Sequence, residues 1–94
     1  MGGGSVTDFI YMYDDKEKTE TRYIGFVGEY GRFDLMITTT AHFYGKKVVT
    51  CLQSNRSAIL NEKDAVNALY LEEAFGLGSE DMAKELSRFL VDNL

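Results

Sequence analysis

Ninety-four residues, 45% of them hydrophobic, 27% charged and 13% aromatic, carry enough apolar material for one core but too little chain for two, since single domains usually run to roughly 100–150 residues. A formal net charge of −5 disfavours coating a nucleic-acid backbone, where affinity comes from Lys and Arg displacing counterions; it does not exclude one local basic pocket. The single cysteine, Cys51, allows no internal disulfide, and no apolar run approaches the ~20 residues needed to cross a bilayer, so a cytoplasmic protein is expected.

In chain order, Met1-Gly2-Gly3-Gly4-Ser5 has no side chain suited to packing, and residues 1–5 read as an appended leader or a frayed start. Residues 6–94 read as a single α+β domain. From Val6 to about Asn61, short β-rich runs alternate with turn signals, the pattern of an antiparallel meander of about five strands. The first is expected over Val6–Tyr13, closed by the charged stretch Asp14-Asp15-Lys16-Glu17-Lys18, and the second over Thr21–Gly28 before the turn Glu29-Tyr30-Gly31-Arg32. The third spans Phe33–Thr40, the fourth Lys47–Gln53, and Ser54-Asn55-Arg56 turns tightly into a short fifth, Ser57–Leu60. Asn suits that turn because it tolerates positive φ.

After Asn61 the hydrophobic period changes to that of a helix, and two C-terminal helices are expected. Asp64–Phe75 places Ala68, Leu71 and Phe75 on one stripe, with Gly76 positioned to end it. Ser79-Glu80-Asp81 is an N-terminal signal: a hydroxyl to cap free amides, and acids to complement the helix dipole. Beyond it Met82, Ala83, Leu86, Phe89 and Leu90 form an apolar face, while Lys84, Glu85, Arg88 and Asp92 face the other way.

The strands carry the main functional hint. A sheet with one wet face shows apolar residues at alternate positions only. Here Ile10 and Met12 oppose Phe9, Tyr11 and Tyr13; Ile24 and Phe26 oppose Tyr23 and Val27; Val48 and Leu52 oppose Val49 and Cys51. Two helices can cover one face of so small a sheet, so the other face, or an edge, is expected to meet another protein surface. A homo-oligomer is the simplest form of that contact; an unknown protein partner is the other.

The familiar catalytic signatures are missing: no phosphate-binding glycine loop, no dinucleotide fingerprint, no paired cysteines and no helical zinc motif. A thiolate–imidazole pair would need His42 beside Cys51, which sits inside a strand where a buried structural thiol is the commoner outcome. One His and one Cys fall short of the three or four ligands zinc takes. No cofactor or metal is expected, and the reading leans away from an enzyme. Asp14 with Asp15 and Glu72 with Glu73 read as solvated surface. Arginine presents five donors in a fixed fork suited to carboxylate or phosphate. In an up-and-down meander, Arg32 and Arg56 fall at one end of the sheet and Arg22 at the other, near Lys46 and Lys47. The first pair could clamp a small anion or a phosphate-bearing ligand, with Tyr30 or Phe33 as an aromatic wall, unless Asp34 neutralises an arginine internally.

Tyr13-Asp14-Asp15, Thr21-Arg22-Tyr23, Arg32-Phe33-Asp34, Phe43-Tyr44-Gly45-Lys46, Gln53-Ser54-Asn55-Arg56-Ser57-Ala58-Ile59 and Tyr70-Leu71-Glu72-Glu73-Ala74-Phe75 together resemble a family of short, uncharacterised proteins from low-GC Gram-positive bacteria, the domain of unknown function number three-zero-five-five. The resemblance spans nearly the whole chain after the leader. It implies a cytoplasmic bacterial protein with one α+β domain, and no activity, cofactor or catalytic residue. The function expected is that of a small interaction module self-associating through the sheet, with the regulatory anion binder at Arg32 and Arg56 as the alternative.

Overall fold

The computed structural model describes residues 9–94; the leader expected over 1–5 and the start of the first expected strand lie outside the described residues. Four strands form one antiparallel sheet in the order of the chain: β1 (Glu20–Val27), β2 (Arg32–Thr39), β3 (Lys47–Cys51) and β4 (Arg56–Leu60). They match the second to fifth expected strands. Pairing follows the alternation of side chains. Ile24 faces Leu35 and Phe26 faces Phe33 across β1 and β2, Leu35 faces Cys51 and Ile37 faces Val49 across β2 and β3, and Val49 faces Ala58 across β3 and β4. A slip by one residue would turn all of these away from the core.

The first expected strand is a correction. Phe9–Tyr13 forms no strand and lies exposed. The reason sits four residues further on. The Glu17 carboxylate accepts from the Thr40 hydroxyl at 2.7 Å and the Ala41 amide at 3.1 Å, and meets His42 Nδ1. These partners lie just past the end of β2, so the chain enters β1 from the β2 side. A fifth strand would have to turn back along the open edge of β1.

Beyond β4 the chain forms α1 (Glu62–Ala65), α2 (Ala68–Phe75) and α3 (Glu80–Asn93). The single helix expected over Asp64–Phe75 is thus broken at Val66 and Asn67, because two asparagines cap in succession. Asn61 and Asp64 make a reciprocal capping box, and the Asn67 side chain accepts from the Tyr70 amide at 3.1 Å. Gly76 closes α2 in the left-handed region and Ser79 caps α3 through the Met82 amide, both as the sequence predicts.

The helices pack on one side of the sheet. Phe33, Leu35, Ile37, Val49, Cys51 and Leu60 from the strands meet Ala65, Leu71, Phe75, Leu86 and Leu90 from the helices in one core. Phe26 stacks between Phe33 and Phe89, with ring centroids 5.1 and 4.4 Å away, and so ties β1 to α3. Glu85 corrects the expected polar side of α3: only 7% exposed, it reaches the β1–β2 turn and accepts from the Glu29 and Tyr30 amides, the second at 3.0 Å. That turn is also closed by the Gly28 amide on the Gly31 carbonyl at 2.7 Å. Among the described residues, no helix is long and apolar enough to cross a membrane.

Candidate functional site

The register places a second set of side chains on the face that no helix covers. Tyr23 pairs with Met36, Thr38 with both Thr21 and Val48, and Val48 with Ile59. Tyr23 is 75% exposed; Met36 and Val48 are half-buried, and Ile59 remains partly open. Hydroxyl pairs stitch the same face: Thr21 with Thr38 at 3.1 Å and Thr50 with Ser57 at 2.7 Å. The result is an apolar diagonal between hydroxyl rows, as expected from the two-sided strand pattern.

Where that face reaches β4, it deepens into a groove of about 520 Å³ lined by Phe43, Val48, Ser57, Ala58, Ile59 and Tyr70. Phe43 comes from the single 3-10 turn Ala41–Phe43, which the Thr40 side chain caps by accepting from the His42 amide at 3.2 Å. Tyr70 comes from the first turn of α2, fixed by the Asn67 cap. Two local caps therefore set the aromatic walls, while the floor is strand. Among the described residues, the Ser57 and Tyr70 hydroxyls are the polar side-chain groups that line this groove. Its chemistry is that of a seat for apolar side chains.

At the other end of the sheet a smaller cavity of about 300 Å³ is lined by Arg32, Phe33, Cys51, Gln53, Ser54, Gly76, Leu77 and Met82. Arg32 and Phe33 thus lie at it. Tyr30 does not, and spends its amide on Glu85. Arg56 starts β4 at the same end, but its guanidinium lies against Gly76, with one long contact to the Glu73 carbonyl at 3.4 Å. Asp34 takes Arg32 through two parallel bonds, Nε to Oδ2 at 3.0 Å and the terminal nitrogen to Oδ1 at 3.1 Å. This pairing raises the guanidinium pKa above its ordinary value. Gln53 locks the pair, donating to Asp34 Oδ2 at 2.8 Å and to the Arg32 carbonyl at 3.2 Å while accepting from the Asp34 amide at 3.1 Å. Asp34 neutralising Arg32 was the competing outcome in the sequence. Gln53 escaped sequence reasoning, although its place just past a strand end, two residues from Cys51, put it within reach of the neighbouring strand.

His42 and Cys51 are not brought together. They stand before the start and at the end of β3, with His42 engaged by Glu17 and the buried Cys51 thiol directed at Gln53 Oε1, 3.6 Å away. Arg22 bonds Asn93 at 3.2 Å, and Lys46 pairs with Asp64 at 3.5 Å. Among the described residues, no three His, Cys, Asp or Glu side chains cluster as a metal site would require.

The profile of the SAV0927-like family matches residues 12–92, and the chain belongs to that family. A search of curated proteins finds no match.

Proposed function

We propose that this member of the SAV0927-like family is a small interaction module of the bacterial cytoplasm that self-associates through the sheet face its helices leave open. One observation carries the reading: the uncovered face holds two apolar cross-strand pairs, Tyr23–Met36 and Val48–Ile59, in neighbouring rows that together make a diagonal. An apolar patch of this kind on a small soluble domain marks a place for another protein surface. The inferred family is the one the quoted segments resemble, with its range in low-GC Gram-positive bacteria. A lone buried cysteine fits a reducing compartment.

Size-exclusion chromatography with light scattering between 1 and 100 µM tests this. A mass above the 10.6 kDa of one chain is expected, falling back to that value when Tyr23→Asp and Met36→Lys are combined on the open face. A monomer at every concentration refutes self-association.

A second reading, binding of a small anion at the Arg32 end, is favoured by one feature. Among the described residues, Ser54 Oγ is buried there without a hydrogen-bond partner, and Arg56 has no carboxylate within 4.0 Å. Thermal-shift measurements with inorganic phosphate and nucleotides, against Arg32→Ala and Arg56→Ala, decide it. Stabilisation absent, or surviving both substitutions, removes it.

A further inference from the structure

β1 lies at the edge of the sheet, and that edge is undefended. Asp34 gives its carbonyl to the Leu52 amide at 2.9 Å and its own amide to the Gln53 side chain at 3.1 Å, so its backbone faces β3. Its partner in β1 is Gly25, and a pair that exchanges no backbone bonds turns both backbones outward. Gly25 therefore offers its amide and carbonyl to the open edge, and by the two-residue period so do Thr21, Tyr23 and Val27. Natural edge strands are blunted by proline, bulges or lysines. β1 has none of these: the chain holds no proline, the register with β2 runs unbroken from Glu20 to Val27, and the charged residues of the strand are Glu20 and Arg22, near its start. Among the described residues no further strand covers this edge.

Above that edge α3 carries a matching pair of charges. The helix runs along the covered side of β1: Phe89 stacks on Phe26 with ring centroids 4.4 Å apart, and the Asn93 side chain accepts from Arg22 at 3.2 Å. At 3.6 residues per turn, Arg88 and Asp92 fall on one flank of the Phe89 line and Leu86 and Leu90 on the other. Leu86 and Leu90 are buried in the core, so the Arg88 and Asp92 flank looks out past β1. Both residues are exposed, and neither is in an ion pair among the described residues. One base and one acid thus stand unpaired beside an open strand edge.

We infer that two copies of the chain join β1 to β1, antiparallel about a two-fold axis at Ile24, into one eight-stranded sheet whose α3 helices pair Arg88 with the partner's Asp92. This rests on the self-association reading above and names the edge that joins the copies. Outward-facing residues bond one another, so overlap of the whole strand sets Thr21 opposite Val27, Tyr23 opposite Gly25 and Ile24 opposite itself. Centring on Tyr23 would instead set two tyrosines against each other and leave Val27 opposite Thr19, outside the strand. In the Ile24 register Tyr23 lies across Gly25, where no side chain is in the way. The position of a Cβ on Gly25 is 2.9 Å from Asp34 Oδ1, so the phenol hydroxyl gains a carboxylate acceptor. On the covered side the axis passes between Phe89, over Phe26, and Asn93, over Arg22. Helices that cover four strands at ~4.8 Å stand roughly 10 Å apart, which brings α3 and its mate side by side and antiparallel. Arg88 is then offset by about 3 Å along the helices from the partner's Asp92, at ~1.5 Å per residue, and the reciprocal pair lies across the axis. The two-fold uses both β1 edges and closes the assembly at two copies.

The test is oxidative cross-linking and sedimentation equilibrium with the full chain, with circular dichroism to verify each fold. Ile24→Cys meets its own copy in a pair with α carbons about 4.5 Å apart, within the span of a disulfide, and is expected to give a reducible species of twice the chain mass under mild oxidant. Arg22→Cys, whose two copies stand about 13 Å apart along the strands at ~3.3 Å per residue, and the parent chain, whose Cys51 is buried, are expected to stay uncross-linked. Arg88→Asp, at an exposed position, is expected to weaken the dimer about 10-fold. Adding Asp92→Arg is expected to restore it, because the same pairs re-form with their signs exchanged. A dimer that yields no Ile24→Cys product and ignores Arg88→Asp, but is lost with Met36→Lys on the open face, overturns this inference and leaves self-association standing. An Arg88→Asp defect that Asp92→Arg does not repair overturns it as well, as does a mass that rises past two chains, and a monomeric parent overturns both.

Discussion

Gly28→Ala tests how α3 holds the β1–β2 turn. A Cβ built on Gly28 falls 2.5 Å from both Glu85 carboxylate oxygens, well inside contact distance. Glu85 cannot move aside without losing the Glu29 or Tyr30 amide. Losing one hydrogen bond to a charged acceptor costs about 1.5–3 kcal/mol. The alanine regains roughly 0.4–1 kcal/mol by restricting the unfolded chain, since Gly28 does not occupy the left-handed region that would penalise a side chain. The net expectation is destabilisation by about 1–2 kcal/mol. Glu85→Ala alone removes both bonds but also relieves a buried charge, and is expected to cost about 2–4 kcal/mol. In the Glu85→Ala background the three atoms nearest the new methyl are gone, so Gly28→Ala is expected to change sign and stabilise by about 0.4–1 kcal/mol. Urea unfolding of the four proteins, followed by far-ultraviolet circular dichroism, gives the cycle directly. Additivity within about 0.5 kcal/mol refutes the claim that this glycine is required by Glu85.

Three further outcomes follow from single contacts. The Thr40 hydroxyl first, and then the Ala41 amide, hold the Glu17 carboxyl below its ordinary 4.5, so the anchor is fully present above about pH 4.5 and is lost as pH falls through the depressed value; the Ala41 amide resonance should move in that window, and Glu17→Gln should abolish the movement. Leu86→Ala, at a fully buried position where helix meets sheet, is expected to cost about 2–5 kcal/mol in the same urea assay, and a loss under 1 kcal/mol would contradict its place in the core. Cys51, buried in β3, should react with an alkylating reagent only as fast as the protein opens, so rapid labelling in native buffer would contradict its burial.

The meander was legible because each strand is a short β-rich run closed by its own turn residues; the face the helices cover was not, because Val48 and Leu52 are as apolar as the buried Val49 and Cys51 on the other side of β3. The ends of α2 and α3 were legible for a similar reason, since Gly76 and Ser79 act within one turn of themselves. Glu85 was misassigned because α3 offers it at a position where the helical wheel is polar, and its partners are backbone amides 55 and 56 residues away. Amides have no sequence identity, so no pattern announces them. The break between α1 and α2 had a local signal in Asn61, Asp64 and Asn67, masked by the continuous apolar stripe from Ala68 to Phe75. Of the four residues proposed at the arginine end, Arg32 and Phe33 share a cavity, Arg56 borders it through Gly76, and Tyr30 stands apart. Strand order placed both arginines at one end, but the Gln53 clamp on Asp34 crosses between strands and lies beyond any reading of spacing.

The unformed first strand and the open sheet face are two consequences of one fact. Strand propensity in Phe9–Tyr13 states only that the segment fits a pleated surface; it gains nothing until a neighbour supplies hydrogen bonds and a face to pack on. Within one chain Glu17 sends the backbone to the β2 side of the sheet, so among the described residues the edge of β1 receives no further strand and Phe9–Tyr13 joins none. The same connection leaves Tyr23 and Val27 bare on β1, while Val48 and Ile59 floor a groove at the far side of the sheet. A chain that satisfied its first strand internally would have spent its most apolar segment and kept its open face without a matching ligand. Here both persist together, an apolar segment and an apolar sheet face that the fold of one chain does not join.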